Sequence, residues 1–320
     1  MNNTTRSMKI GFKQCLALCL LTLALGLISC KEKTKTATIH FRVKFDGLQE
    51  RLDSKGFPAA IGSGKAAQTP LMNFIGIQQL ELTTNSTMAW GKGSVLLNTP
   101  STTAGGDEAI DFSQIRTAKE GEEFLTVSSK DLPIGRYEWL RVSVAYQNFD
   151  ILFNMYNVPF AGSFLDQRGT LASFLGQNTY ITPYKVWNKL DNTKGNVKQG
   201  YWCFESKLAS AYASNDKLFN GNSPEGMTTA VNMLSATVPN PLGSGVITGH
   251  FDTPLSITGN ETEDIYITLS FSVNRSFEWE ESLERNGKWD YNAQANTGQT
   301  AVERILDAGL RGVKISYDSK

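Results

Sequence analysis

Histidine and cysteine are scarce in this 320-residue sequence, and their scarcity limits the chemistry the protein can perform. The two histidines, His40 and His250, are too few for a polyhistidine metal site and leave little for histidine-based catalysis. The motifs H-E-x-x-H, C-x-x-C and G-x-S-x-G are all absent. The sequence therefore favours a non-enzymatic protein, and we assign no catalytic, cofactor-binding or metal-binding residue.

An excess of charge of either sign is also missing, because 31 Lys and Arg residues balance 31 Asp and Glu residues. Nucleic-acid-binding proteins usually carry a strong basic excess, so the composition argues against that class. A hydrophobic content of 40% without net charge excludes a disordered chain. The composition predicts a globular protein with a substantial core.

Long hydrophobic runs are absent except for one close to the N-terminus. Residues 15–28 are uncharged and largely apolar, and they follow the basic residues Arg6, Lys9 and Lys13. The run has the length of a signal-peptide core and falls short of the roughly 20 residues that span a bilayer as a helix. The pattern predicts a signal peptide over residues 1–29.

The sequence Leu27-Ile28-Ser29-Cys30 resembles a bacterial lipobox. This resemblance implies that Cys30 receives diacylglycerol, carries palmitate-type acyl chains and becomes the mature N-terminus. Two or three acyl chains anchor a protein stably to a membrane. The alternatives are an ordinary signal peptide that ends at an unrelated cysteine, and an N-terminal transmembrane helix.

Residues 30–37 are mostly polar and predict a short solvated tether. Their start, Lys31-Glu32, resembles the surface-export signals of Bacteroidota lipoproteins. That resemblance implies a lipid-anchored protein of the outer membrane, with the outer face as one location. Cys203 is then the remaining cysteine of the mature chain, and its apolar neighbours predict a buried free thiol.

Apolar and polar residues alternate with a period of two from Thr38 onward, which is typical of half-buried strands. The clearest cases lie at 39–45, 137–146 and 265–273. Further predicted strands lie at 73–83, 93–97, 122–128, 149–156, 179–188, 200–206 and 245–251. These strands predict a mainly β fold, an antiparallel β-sandwich in which residues 38–320 form a single domain.

Helical signals are few, and we expect one to three short helices. A capping box at Thr300–Glu303, followed by apolar residues at three-four spacing, predicts a helix over 300–309. Weaker patterns favour short helices at 205–213 and 225–235.

Aromatic residues are about twice as dense between Tyr146 and Phe204 as in the whole chain. Aromatic rings on a rigid scaffold can stack on sugars or anchor a partner protein. The alternative is that these rings fill the core. The candidate ligand-binding residues are Tyr184, Trp187, Tyr201 and Trp202.

An acidic stretch near the C-terminus suggests a calcium site. Glu284, Asn286 and Asp290 supply oxygen ligands around a turn, as in loops that bind Ca²⁺. The alternative is a long hairpin with an Asn-Gly turn, across which Trp279 and Trp289 pack. Ca²⁺ is the one cofactor that the sequence suggests.

Two other motifs fail as functional sites. The Gly62–Lys65 segment resembles a phosphate-binding loop, but Ala59 and Ala66 replace the required glycine and hydroxyl residue, so we predict a surface loop. The acidic pairs Glu122-Glu123 and Glu280-Glu281 would need a set distance between two carboxyl groups to act in glycoside hydrolysis, and the sequence does not give that distance. We expect these side chains to be solvated.

The strand from Ile39 to Gly47 and the Gly200-Tyr201-Trp202 run resemble the MbnP-like β-sandwich proteins. That family binds copper, but its ligands have no counterpart in this sequence, so no metal residue follows from the resemblance. The favoured hypothesis is a membrane-anchored envelope lipoprotein that binds glycan or protein without catalysis. The alternatives are an assembly lipoprotein, such as a pilus subunit or accessory protein of an outer-membrane complex, and a hydrolase or metal-binding protein.

Overall fold

The computed structural model describes residues 36–241, 243–295 and 301–320, of which Ala37–Lys320 form one compact unit. The predicted signal peptide, Cys30 and most of the tether lie outside the described residues. The described residues contain three short 3₁₀ turns, at Phe112–Gln114, Ser129–Asp131 and Ser210–Asn215. The strands are β1 Thr38–Asp46, β2 Lys65–Gln68, β3 Leu71–Thr83, β4 Ser94–Asn98, β5 Ser101–Gly105, β6 Asp107–Asp111, β7 Arg116–Ala118, β8 Glu123–Ser128, β9 Gly135–Val158, β10 Gly162–Phe174, β11 Asn178–Ile181, β12 Tyr184–Lys185, β13 Leu190–Asp191, β14 Gly195–Lys198, β15 Tyr201–Lys207, β16 Leu218–Asn222, β17 Val246–Ile257, β18 Ile265–Ser272, β19 Phe277–Glu280, β20 Trp289–Asn292, β21 Ile305–Asp307 and β22 Val313–Ser319.

The predicted mainly β, sandwich-like fold is confirmed, and the described residues contain no helix of seven or more residues. The largest sheet runs in the order β16-β15-β10-β9-β17-β22-β18-β1-β8, with β3, β4, β7 and β20 attached beside it. Smaller sheets are β14-β11-β6-β5, β12-β13 and β2-β19-β21. Most neighbouring strands are antiparallel, but β1–β18, β17–β22, β6–β11 and β9–β20 are parallel. The sheets are therefore mixed.

The alternation read from the sequence is borne out in β1, where Ile39, Phe41 and Val43 are buried and the residues between them face outward. In contrast, the predicted strands at 137–146 and 149–156 are one continuous strand, β9. Residues 140–149 of β9 are buried on both faces because the strand lies at the centre of the largest sheet, between β3, β10 and β17. This strand runs through all three apolar clusters of the core.

The helix predicted over 300–309 is wrong. Thr300, the cap of that helix, lies outside the described residues, and Ile305–Asp307 form β21, which pairs with β19. Residues 305–313 are buried throughout, so their apolar spacing reflects complete burial and not one buried helix face. The segment 225–235 consists of turns and irregular backbone with an isolated bridge from Asn232 to Thr248, and 205–213 is the end of β15 followed by a 3₁₀ turn.

The hairpin predicted between Trp279 and Trp289 is also not formed. Trp279 lies on β19, which pairs with β2 and β21, whereas Trp289 lies on β20, which pairs with β9. Both indoles are fully buried in one cluster, with the Phe277 ring 5.4 Å from Trp279 and 5.8 Å from Trp289. The two tryptophans therefore share a core without being cross-strand neighbours.

Candidate functional site

Three of the four candidate ligand-binding residues, Tyr184, Tyr201 and Trp202, are buried and fill the core, so the expectation that they bind a ligand is wrong. Tyr184 and Tyr201 pack in a cluster with Tyr146 and Phe174, and Trp202 packs against Trp289 and Phe219. The burial of Tyr201 and Trp202 follows from the apolar partners on both faces of β15, whereas Tyr184 lies on β12 and packs onto the same cluster as Tyr201. Trp187 differs, because 49% of its surface is exposed.

The buried polar groups of this region are held within the protein. The Tyr201 hydroxyl donates to Asp191 Oδ2 at 2.9 Å and contacts the Thr193 hydroxyl. Burial raises the pKa of Tyr201 and the pKa of the Cys203 thiol. Cys203 is buried and free, as predicted, and its raised pKa makes it a poor nucleophile.

Trp187 lies in the tight turn between β12 and β13, and a single carboxylate fixes that turn. Glu205, which is buried on β15, accepts the backbone N–H of Trp187 at 2.8 Å, of Asn188 at 2.9 Å and of Lys189 at 3.0 Å. The turn is closed by a bond from the Val186 N–H to the Lys189 carbonyl at 3.1 Å. Three donors converging on one anion hold the indole in a defined place on the surface.

A charged side chain covers one face of the indole and is itself bound to a carboxylate. The Lys207 ammonium lies 3.7 Å from the centre of the Trp187 ring, a cation–π contact. Lys207 also donates to both oxygens of Asp150, at 2.9 and 2.8 Å, and Asp150 accepts the Thr170 hydroxyl at 2.8 Å. The exposed Arg168 guanidinium lies 3.9 Å from Asp150.

We call Trp187, Lys207, Asp150 and Arg168 the Trp187 platform. It combines an exposed flat ring with fixed charges of both signs. A sugar ring can stack its C–H face on an indole while its hydroxyls bond to neighbouring charged groups. Because the charges already hold one another, little side-chain freedom remains to be lost on binding.

Of the residues suggested for calcium, Asp290 does not present an open oxygen ligand, whereas Glu284 is exposed. Asp290 is buried, and it accepts the amides of Asn154 at 2.9 Å and Asn286 at 3.0 Å. Burial raises the pKa of Asp290, which weakens it further as a cation ligand. In the described part of the chain, no group of three or more His, Cys, Asp or Glu residues could hold a metal ion.

The two histidines are not brought together. His40 on β1 contacts Glu123 at 2.8 Å and stacks on Tyr266, whereas His250 on β17 packs edge-on against Trp139. β22 and β18 lie between β17 and β1, so three inter-strand steps of about 4.8 Å separate the two strands by about 14 Å along the sheet. First-shell metal ligands lie within about 2 Å of one ion, so the pair cannot share a metal.

Trp187 was identifiable from the sequence, but the residues that hold it were not. Glu205 is a charged residue inside the otherwise mostly apolar strand β15, and this was the available signal, because a buried charge must be paired or hydrogen-bonded. No sequence signal identifies Asp150 and Lys207, because their contact depends on the pairing of β9 with β10 and of β10 with β15.

No protein-family description matches the chain, and no curated protein or solved structure is significantly similar to it. Among the described residues, no helix is long and apolar enough to cross a membrane.

Proposed function

We propose that this protein is a lipid-anchored lipoprotein of the bacterial outer membrane, acting as a non-enzymatic binding module for glycans. The anchor is supported by the lipobox-like Leu27–Cys30 sequence and the basic, apolar segment before it. The binding role is carried by one observation, the Trp187 indole held at the surface by Glu205.

The geometry favours a glycan over a catalytic substrate. The platform offers a flat apolar surface and paired charges, but its charged groups already bond to one another, with Lys207 held on Asp150. Such groups orient a ligand through hydrogen bonds and do not supply a free acid or base. Sugars suit this combination because each has an apolar C–H face and a polar rim.

A glycan-array screen of the full chain in detergent tests this proposal. Replacing Trp187 by alanine removes the stacking surface and should weaken binding of any glycan found by about tenfold or more, as expected for a central aromatic contact. The matched control is Tyr212→Ala, because that ring is 45% exposed and lies in a different surface segment. Equal binding by the two variants would contradict the proposal.

A second candidate function is assembly into an envelope complex, and the β9–β10 hairpin favours it. Phe160 lies in the turn of this hairpin, is fully exposed and has a backbone φ of 61°, which bulky side chains seldom adopt. Leu165 on the same hairpin is also exposed, and residues 151–165 contain no charge. Assembly predicts oligomers or cross-linked complexes in envelope extracts that Phe160→Ser abolishes; a Phe160→Ser variant with unchanged complexes would contradict it.

A further inference from the structure

A cavity of about 710 Å³ opens beside the Gly62–Lys65 turn, away from any residue of the Trp187 platform. Its charged lining residues are Arg51, Lys65, Arg275 and Glu50. The turn is closed by the Lys65 N–H on the Gly62 carbonyl at 3.3 Å, with Gly64 at a φ of 75°. The motif dismissed as a phosphate loop thus lies on the wall of a basic cavity.

A buried ionic cluster behind this cavity has more positive than negative groups. Glu278 contacts Arg51, Lys65 Nζ at 3.0 Å and Arg311 at 3.3 Å, and Arg311 also contacts Asp307 at 2.8 Å. Three cations therefore share two carboxylates, which leaves one positive charge without a partner in the cluster. Lys65 is the most exposed of the three cations, with 31% of its side chain accessible, and it lines the cavity, so the excess positive charge lies where an anion can reach it.

Arg275 adds a second positive charge at the mouth of the cavity. Its carbonyl accepts Arg51 Nε at 3.3 Å, which places its backbone against the cluster. Burial and the positive charges of Arg311 and Arg275 lower the pKa of Arg51, against the opposite effect of Glu278 and Asp307. Within the described residues, no acceptor contacts the Arg275 side chain.

Some hydrogen-bond donors of the cavity are already bonded to protein acceptors, and others remain available to a ligand. Arg51 donates to Glu278 and to the carbonyls of Ala59, Ala60 and Arg275. These bonds hold the backbone that lines the cavity, so we treat Arg51 as a positioning residue. Lys65 has three N–H donors and one observed acceptor, Glu278, so two donors remain.

We infer that this cavity binds an oxyanion, a sulfate or phosphate group, held by Lys65 and Arg275 on the wall that Arg51 supports. Glu50 contributes one negative charge against the unpaired cation of the cluster and Arg275, so one net positive charge remains for an anion to offset. Glu50, the acidic residue of the lining, opposes this binding and sets its strength. The inference is independent of what binds at the Trp187 platform.

Titration calorimetry of the full chain in detergent, at constant ionic strength, tests the inference with inorganic sulfate, inorganic phosphate and acetate. Sulfate and phosphate should bind more tightly than acetate. Arg275→Gln should weaken sulfate binding at least tenfold, and Glu50→Gln should strengthen it by twofold or more. Both side chains are exposed, so neither variant should disturb folding.

The matched control is Arg116→Gln, which removes an exposed guanidinium from β7 and should leave binding unchanged. Absence of sulfate and phosphate binding would overturn the inference. Equal losses in Arg275→Gln and Arg116→Gln would also overturn it, because they would show that the anions respond only to overall charge.

Discussion

Replacing Glu205 by alanine should loosen the Trp187 turn without unfolding the protein. Glu205 is the shared acceptor for the N–H groups of Trp187, Asn188 and Lys189, at 2.8 to 3.0 Å. Its removal leaves three donors without their anion. The turn then loses the carboxylate that holds three of its N–H groups, and only the Val186–Lys189 bond and the Lys207 contact still orient the indole among the contacts described above.

The magnitude follows from the exposure of the turn. A hydrogen bond to a charged group contributes about 1.5–3 kcal/mol when water cannot replace it. Here water can reach the turn, and removing Glu205 also relieves the cost of burying its charge. We therefore expect the free energy of unfolding to fall by about 2–3 kcal/mol, less than the sum of three full bonds.

Two measurements check this prediction, urea denaturation and hydrogen exchange at the amides of residues 187–189. Protection of these amides should fall much more than that of amides in β9. The control is Glu122→Ala, which removes an exposed carboxylate and should change neither quantity. Unchanged protection at 187–189 in Glu205→Ala would refute the reasoning, because the turn would then be held by something else.

Two further predictions concern the core. Gly309→Ala should destabilise the protein by about 3 kcal/mol or more in urea denaturation, since a Cβ there would lie 2.0 Å from the backbone oxygen of Thr229. The control is Gly62→Ala, whose Cβ would meet only the Lys65 side chain at 3.6 Å and should change stability by less than about 1 kcal/mol. Similar losses of stability in the two variants would contradict the close packing at Gly309. Burial raises the pKa of Glu303 above its ordinary value of 4.5, so the folded state holds this proton more tightly than the unfolded state. Stability of the wild type should therefore fall relative to Glu303→Gln as pH rises from about 4 through the raised pKa, and parallel pH profiles would contradict this assignment.

The strands were predictable because their signal is local. In β1 and β18 one face is buried, so the period-two pattern appears directly in the sequence. The segment 305–313 has no such pattern, because it is buried on all sides, and its apolar spacing imitated a helix. Pairing of β21 with β19, about 25 residues earlier in the chain, decides its conformation, and no local rule contains that information.

The site was predictable only in part, for a related reason. Aromatic density pointed to residues 146–204, but density alone does not separate a core ring such as Tyr201 from a surface ring such as Trp187. The difference arises from Glu205, which draws the turn around Trp187 onto the sheet. The basic cavity depends on contacts between distant segments, such as Arg51 with Glu278, and short motifs cannot reveal these.

Nuclear magnetic resonance of the tryptophan indole N–H groups tests the central claim most directly. When a glycan selected from the array is added to the full chain in detergent, the Trp187 indole signal should shift with saturation, while the signals of buried Trp279 and Trp289 stay in place. Saturable glycan binding that leaves the Trp187 signal unmoved would contradict the account, because the ligand would then lie elsewhere on the protein.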